Sequence, residues 1–348
     1  MMHLDPVNYN NPALFDGDFV SSETKAHTIE GVSELVSQDK LAVDNVIRQR
    51  LQSDVVLVNQ LGHYIINSGG KRLRPNIVLL SARAFGYKGY HHIPLAAVVE
   101  FIHTATLLHD DVVDASEMRR GRDTANAIWG NEASVLVGDF LYSRAFQMMV
   151  EAGSMKVMEI LSNATNIIAE GEVLQLMNCH EPNTTEERYL EVIRFKTAKL
   201  FEAAAQLGAV LSGRSEMEID TLGRYGMHLG TAFQLVDDVL DYSTSSEEIG
   251  KNIGDDLAEG KPTLPLIHVM RTGSPEQVEI VREAIEQGGR ERIDDVIVAV
   301  KETGAIDYTM EAAKKEAAKA IEFLDILPQS AYKNALITIA KFSVNRSY

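Results

Sequence analysis

From about residue 30 to the C-terminus, apolar residues recur at intervals of three and four with scarcely a break, and no segment alternates with period two. That pattern constrains the chain to one class of solution: helices packed on helices, with no sheet to organise them. The spacing predicts helices over 38–52, 54–68, 74–86, 92–115, 124–130, 131–151, 155–180, 185–213 and 216–242. It predicts five more over 263–272, 275–287, 290–303, 306–325 and 328–345. Local signals support several of the ends. Gly69-Gly70 suits a left-handed helix stop, and Pro75 suits a first turn. Thr184 with Glu187 has capping-box spacing, and Ser274-Pro275-Glu276-Gln277 reads as a helix start. Residues 1–28 carry Pro6, Asn8, Asn10, Asn11 and Pro12 without a period and read as a flexible lead-in. Residues 243–262 read as a polar loop. At 348 residues the chain exceeds the usual domain size, yet no linker or 20–50-residue repeat divides it. The expectation is one all-α domain, 29–348, a helical bundle around a central cavity.

Within this pattern one stretch is out of place. LLHDDVVD (107–114) sets Asp110, Asp111 and Asp114 in an otherwise apolar run at the C-terminal end of a long helix. Asp110 and Asp114 fall one turn apart on one face. Two anions at that spacing repel by roughly 0.2–0.5 kcal/mol even when exposed, and the helix macrodipole disfavours anions at that end. The same spacing recurs in LVDDVLD (235–241) with Asp237, Asp238 and Asp241. Two such clusters call for a cation. If their helices face each other across a cavity, carboxylates from both converge, and oxygen-only ligation suits a hard ion, Mg²⁺ above all. Mg²⁺ keeps several ligand positions for water or phosphate.

The net charge of −17 argues against nucleic acid or an anionic membrane surface as a partner. No apolar run approaches a membrane span, and the start lacks a signal-peptide pattern. The single cysteine, Cys179, excludes an internal disulfide or a thiolate metal site and fits a reducing cytoplasm. In so acidic a chain, short basic turns are informative. GGKRLRP (69–75) places Lys71, Arg72 and Arg74 beside a helix start, where free N–H groups and guanidinium forks bind phosphate. MRRG (118–121) puts Arg119 and Arg120 just beyond Asp114. FKTAK (195–199) carries Lys196 and Thr197, and GKNIGDDLAEGKPTLP (250–265) carries Lys251 and Lys261. Any one of these could be a solvated turn; beside the aspartates, metal plus cations is what a diphosphate needs. Gln234 precedes the second cluster and either meets substrate or pairs within its helix. Glu170, Glu172 and Gln175 in EGEVLQL form a polar patch expected to line the same cavity. His103 lies two turns before Asp110; spacing alone makes it an ordinary core histidine. No serine-histidine-aspartate arrangement, P-loop or dinucleotide fingerprint is present.

Taken in order, GGKRLRP, LLHDDVVD, MRRG, GEVLQL, KTAKL, FQLVDDVLD and GKNIGDDLAEGKPTLP resemble the trans-isoprenyl diphosphate synthases, from about residue 40 to 345. EFIHTATLLHDDVVD and ASVLVGDFLYSRAFQMM are similar to the octaprenyl-forming bacterial members. The resemblance implies an all-α bundle, usually a homodimer. It implies Mg²⁺ held by Asp110, Asp111 and Asp114 on one side and by Asp237 and Asp241 on the other. Arg119, Lys196, Thr197, Gln234, Lys251 and Lys261 match positions for an allylic diphosphate. Lys71, Arg74, His103 and Arg120 match those for isopentenyl diphosphate, which gives His103 a binding role; Arg72 is not carried over. The implied reaction is head-to-tail condensation of isopentenyl diphosphate with an allylic diphosphate such as farnesyl diphosphate. Metal-assisted ionisation gives an allylic cation, which the isopentenyl double bond attacks. A proton then leaves to the released diphosphate. Asp110, Asp114, Arg119, Lys196 and Asp237 would carry the chemistry. The product would be a long all-trans polyprenyl diphosphate, octaprenyl in size, for a quinone side chain. Small Ala105 and Thr106 before the aspartates leave room for a growing tail, with Phe146, Met148 and Met149 as a deeper floor. The same three residues also read as ordinary core.

Three other readings keep some of these residues. A shorter-chain synthase would expect a bulky aromatic near 105–106. A class I terpene cyclase would have no use for GGKRLRP, having no second diphosphate to hold. A non-catalytic helical subunit would be expected to have lost aspartates or cations, and all stand here.

Overall fold

The computed structural model describes residues 27–66, 69–70, 72–119, 121–243, 254–288 and 290–345, and the chain is all-α, as the periodicity requires. Thr28 caps α1 (Ile29–Leu35) by accepting the Gly31 N–H at 3.1 Å. Next come α2 (Ser37–Arg50), α3 (Val56–Ile66) and α4 (Leu73–Ala84). α4 holds Pro75 within its first turn, where no intrahelical N–H is lost. α5 (His92–Val113) runs through the middle, with Leu95, Ala96, Ala97, Val98, Val99, Phe101, Ile102, Ala105 and Leu108 fully buried. It is enclosed by α2, α4, α7 (Asn131–Glu151) and α10 (Lys199–Leu211). A helix buried nearly all round has to be apolar nearly all round, which is why the aspartates at its end stand out.

Between α5 and α7 lie a two-stranded hairpin, β1 (Met118–Arg119) with β2 (Arg122–Asp123), and the short α6 (Ala125–Trp129). The hairpin was not expected: two-residue strands are too short for any alternation to register. Beyond α7 come α8 (Met155–Asn178), α9 (Glu186–Ile193) and α11 (Glu216–Ser243). The single helix expected over 185–213 is interrupted. One wide, π-type turn, Arg194–Ala198, separates α9 from α10. The cap of α9 is Thr185, which accepts from Arg188 N at 3.3 Å. Thr184 instead donates to Glu181 O at 2.9 Å, so the boxlike spacing of Thr184 and Glu187 is coincidental.

The polar loop hides a short helix, α12 (Asp255–Ala258); residues 244–253 of the loop lie outside the described residues. α13 (Leu264–Thr272), α14 (Pro275–Gln287), α15 (Ile293–Glu302), α16 (Ala305–Phe323) and α17 (Ala331–Asn345) complete the bundle. Ser274 and Gln277 form the expected capping box on α14. α11 packs along α10 and α16. The C-terminal ends of α5 and α11 both arrive at one central cavity. No helix among the described residues is long and apolar enough to cross a membrane.

Candidate active site

The cavity has a volume of about 570 Å³. One wall is α5, which presents His103, Thr106, Leu107, Asp110 and Asp111 at successive turns. Asp111 is fully buried. Its Oδ1 accepts from Arg119 Nε at 2.8 Å and Nη2 at 2.7 Å, so the hairpin serves to bring Arg119 under the first cluster. Burial pushes the Asp111 carboxyl above its ordinary pKa, more than Arg119 pulls it down. Its Oδ2 is buried with no hydrogen-bond partner among the described residues. Asp114 ends the helix and does not line the cavity; its Oδ2 accepts from Lys261 Nζ at 3.0 Å.

The facing wall is α11, with Phe233, Gln234, Asp237, Leu240 and Asp241. Asp238 is turned into the protein, where Tyr189 Oη donates to its Oδ2 at 2.5 Å and Gln234 Nε2 to its Oδ1 at 2.8 Å. Asp241 accepts the Asp255 and Asp256 N–H groups at 3.2 and 3.3 Å, anchoring the start of α12. Asp255 and Asp256 also line the cavity. Sequence reasoning passed over that pair, because GKNIGDDLAEGKPTLP was read for its lysines. A third Asp-Asp pair, between two glycines, was the available signal.

Cations stand among these acids. Lys196 Nζ lies 2.7 Å from Glu172 Oε2 and 3.6 Å from Asp110 Oδ2. Burial works against this ammonium, but Asp110 and Glu172 together hold its pKa above the ordinary value. Burial, and then the nearby Asp110 charge, raise Glu172 to about 7 against the pull of Lys196. Of the polar patch on α8, only Glu172 reaches the cavity. Glu170 is exposed and accepts from Asn166 at 2.8 Å, and Gln175 is not on the wall. Lys196 owes its place to Gly171: a Cβ there would come within 2.6 Å of the Lys196 backbone nitrogen. Thr197 Oγ1 donates to Gln234 Oε1 at 3.0 Å, joining the wide turn to α11. Lys261 also pairs with Glu259, whose carboxyl burial lifts to about 7.

At the other end, Gly69, Gly70, Arg72, Leu73 and Arg74 line the cavity next to His103. Arg74 Nη1 lies 3.1 Å from His103 Nε2, and its guanidinium stacks over Phe201 with 4.4 Å to the ring centroid. Arg72, at φ 47°, turns aside to Asp44 (3.1 Å) and Glu100 (3.8 Å). Lys71, Arg120 and Lys251 lie outside the described residues. Of the tail-path candidates, Thr106 is on the wall. Ala105 and Met149 are fully buried in the core, and Phe146 packs against that core. The structure does not bring these last three to the cavity.

The donor chemistry fits a hard divalent ion. Asp110, Asp111, Asp237 and Asp241 offer only oxygen, from two walls, and one buried oxygen of Asp111 is unmatched. Among the described residues no three such side chains converge closely enough to enclose an ion unaided. That suits an ion completed by phosphate and water. The arrangement is therefore a polyanion site with acids toward one end, an Arg–His pair toward the other and an apolar stretch, Leu107, Ile168, Leu200, Phe201 and Phe233, between.

Comparison with known proteins agrees. Residues 55–303 match the family model for polyprenyl synthetase. The octaprenyl diphosphate synthase of Escherichia coli (strain K12) is 56% identical over 319 residues, covering 91% of this chain and 99% of that protein. The solved polyprenyl synthase of Caulobacter crescentus CB15, complexed with calcium and isoprenyl diphosphate, superposes with a TM-score of 0.89 at 45% identity, covering 92% of this chain and 98% of that one. A decaprenyl diphosphate synthase from Rhodobacter capsulatus superposes with a TM-score of 0.86 at 44% identity, over 91% and 98%. With matches of this extent, the chain belongs to the polyprenyl synthetase family.

Proposed function

We propose that this protein is a prenyltransferase that extends an allylic diphosphate with isopentenyl diphosphate to a long all-trans product of octaprenyl size. The observation that carries the reading is the pairing of two aspartate-bearing helix ends across one cavity, with Lys196 and Arg119 between and beneath them. The identity to octaprenyl diphosphate synthases supports the product class.

In this reading Asp110, Asp111, Asp237 and Asp241, with Asp114 at the rim, hold Mg²⁺. When bound, the ion supplies the positive charge that stabilises the leaving diphosphate. Lys196, Arg119, Thr197, Gln234 and Lys261, together with Lys251, orient the allylic diphosphate. Charge forms on the leaving oxygens in a water-poor site, where fixed cations act strongly. Arg74 and His103, with Lys71 and Arg120, take the isopentenyl diphosphate at the other end. Phe201 and Phe233 keep water from the allylic cation. The proton lost after coupling goes to the released diphosphate. Glu172 is engaged by Lys196, so it is not assigned as the base.

The growing tail would leave along Thr106. A second copy of the chain would cover α7, where Val135, Leu136 and Val150 are exposed at 37%, 66% and 66%. The cytoplasm is the compartment this reading favours, with a quinone side chain as the product's use.

The test is purified protein with Mg²⁺, farnesyl diphosphate and labelled isopentenyl diphosphate, and products sized after dephosphorylation. A dominant eight-unit chain is expected. Asp110→Ala should lower turnover by about 10³ or more with the helical signal intact. No incorporation by the unaltered protein over a range of divalent metals would overturn the reading.

A further inference from the structure

Four side chains close a ring between the helix that precedes the wide turn and the helix that carries the second aspartate cluster. Tyr189 in α9 donates from Oη to Asp238 Oδ2 at 2.5 Å. Asp238 Oδ1 accepts from Gln234 Nε2 at 2.8 Å, one turn earlier in α11. Gln234 Oε1 accepts from Thr197 Oγ1 at 3.0 Å, and Thr197 lies in the turn that continues α9. Tyr189 is 5% exposed and Asp238 2%, so both oxygens of a buried carboxylate are matched inside the protein. Tyr189 belongs to none of the sequence motifs, and the reaction as described makes no use of it.

The ring spans two functional neighbours. Thr197 follows Lys196, and Asp238 follows Asp237. A helix turns about 100° per residue, so as Asp237 faces the cavity, Asp238 faces α9. The ring therefore fixes where the Lys196 ammonium stands relative to the Asp237 carboxylate.

We propose that Tyr189 is a positioning residue for the allylic diphosphate: through Asp238 and Gln234 it sets the register between Lys196–Thr197 on one side and Asp237 on the other. This rests on the two-diphosphate reading of the cavity. The Arg74–His103 end takes no part in the ring and should be indifferent to it.

The experiment is steady-state kinetics on Tyr189→Phe, which removes one donor and leaves the ring system in place. The allylic KM and the Mg²⁺ concentration for half-maximal rate should each rise about tenfold, while the isopentenyl KM stays within about twofold. Asp238→Leu breaks the other half, because it removes the acceptor oxygens of both Tyr189 and Gln234. It should give the same split. In the double variant the two effects should fall short of additive, as for members of one network.

Parallel changes in both KM values, an unchanged allylic KM, or loss of the fold in both variants would overturn the proposal. Parallel changes or loss of the fold would assign the bond to general stability, and an unchanged allylic KM would leave it no part in positioning. An unaltered protein inactive with both diphosphates would instead overturn the reading of the cavity, so the two failures are separable.

Discussion

Thr106 and Ala105 are neighbours in the chain with opposite surroundings. Thr106 lies on the cavity wall and Ala105 is fully buried. A large side chain should therefore act differently at each. Thr106→Phe would fill the tail path, and product analysis should find chains shortened by several isoprene units at near-normal stability. Ala105→Phe would overpack the core at a cost of about 1–3 kcal/mol, and thermal melting should register that before any change in product. A shortened product from Ala105→Phe alone would reverse the assignment. The same contrast marks what was legible at this scale. Spacing singled out the two aspartate triplets and the basic turns, and left open whether Gln234 meets the cavity or pairs within its helix; it does both. Spacing could not separate Asp237, which faces the cavity, from Asp238, which faces Tyr189, because a face is known only once the helix has neighbours. Arg72, amid the basic turn, pairs with Asp44 and Glu100. Those partners lie in α2 and α5, and no local pattern announces them.

At the scale of elements, long periodic helices were legible nearly to their ends, while the short departures from regularity were not. The hairpin β1–β2, the wide turn at 194–198 and α12 are each set by tertiary contacts: Arg119 to Asp111, Gly171 against Lys196, and Asp241 to the α12 amides. All three border the site. Elsewhere the pairing of elements has a pH signature. His228 in α11 lies 2.5 Å from Glu316 Oε2 in α16 and stacks on Phe323. Burial alone would raise the Glu316 carboxyl, but hydrogen bonds from His228 and Lys319 outweigh it and hold it at about 2, against an ordinary 4.5. A depressed pKa means stability that is present above the unfolded value and lost as pH falls through the folded one. Melting temperature measured from pH 5 to 2 should therefore decline less steeply in Glu316→Gln than in the unaltered protein. The variant should also be less stable near neutrality by about 1–2 kcal/mol. Equal slopes for the two proteins would remove Glu316 from the α11–α16 joint.

For the whole molecule, α7 carries exposed apolar side chains on its outer surface at Leu136 and Val150. A second copy seated there would bury them. Leu136→Glu should halve the mass found by light scattering while leaving the helical content unchanged; a mass equal to that of the unaltered protein would exclude this face. The wide turn at 194–198 has its own consequence for the molecule as a lineage. It gives the segment from Glu186 to Leu211 one residue more than a regular helix needs to cover that distance. That surplus falls where Lys196 and Thr197 meet the cavity. Losing a single residue there would let the helix run as a regular one: the flanks would keep their faces, and only the side chains of the turn itself would be re-aimed. Such a deletion would leave composition, motifs and most of the core in place, yet the lysine would face elsewhere. Among descendants of such a chain, a gap of one residue at this turn would separate working copies from folded, silent ones.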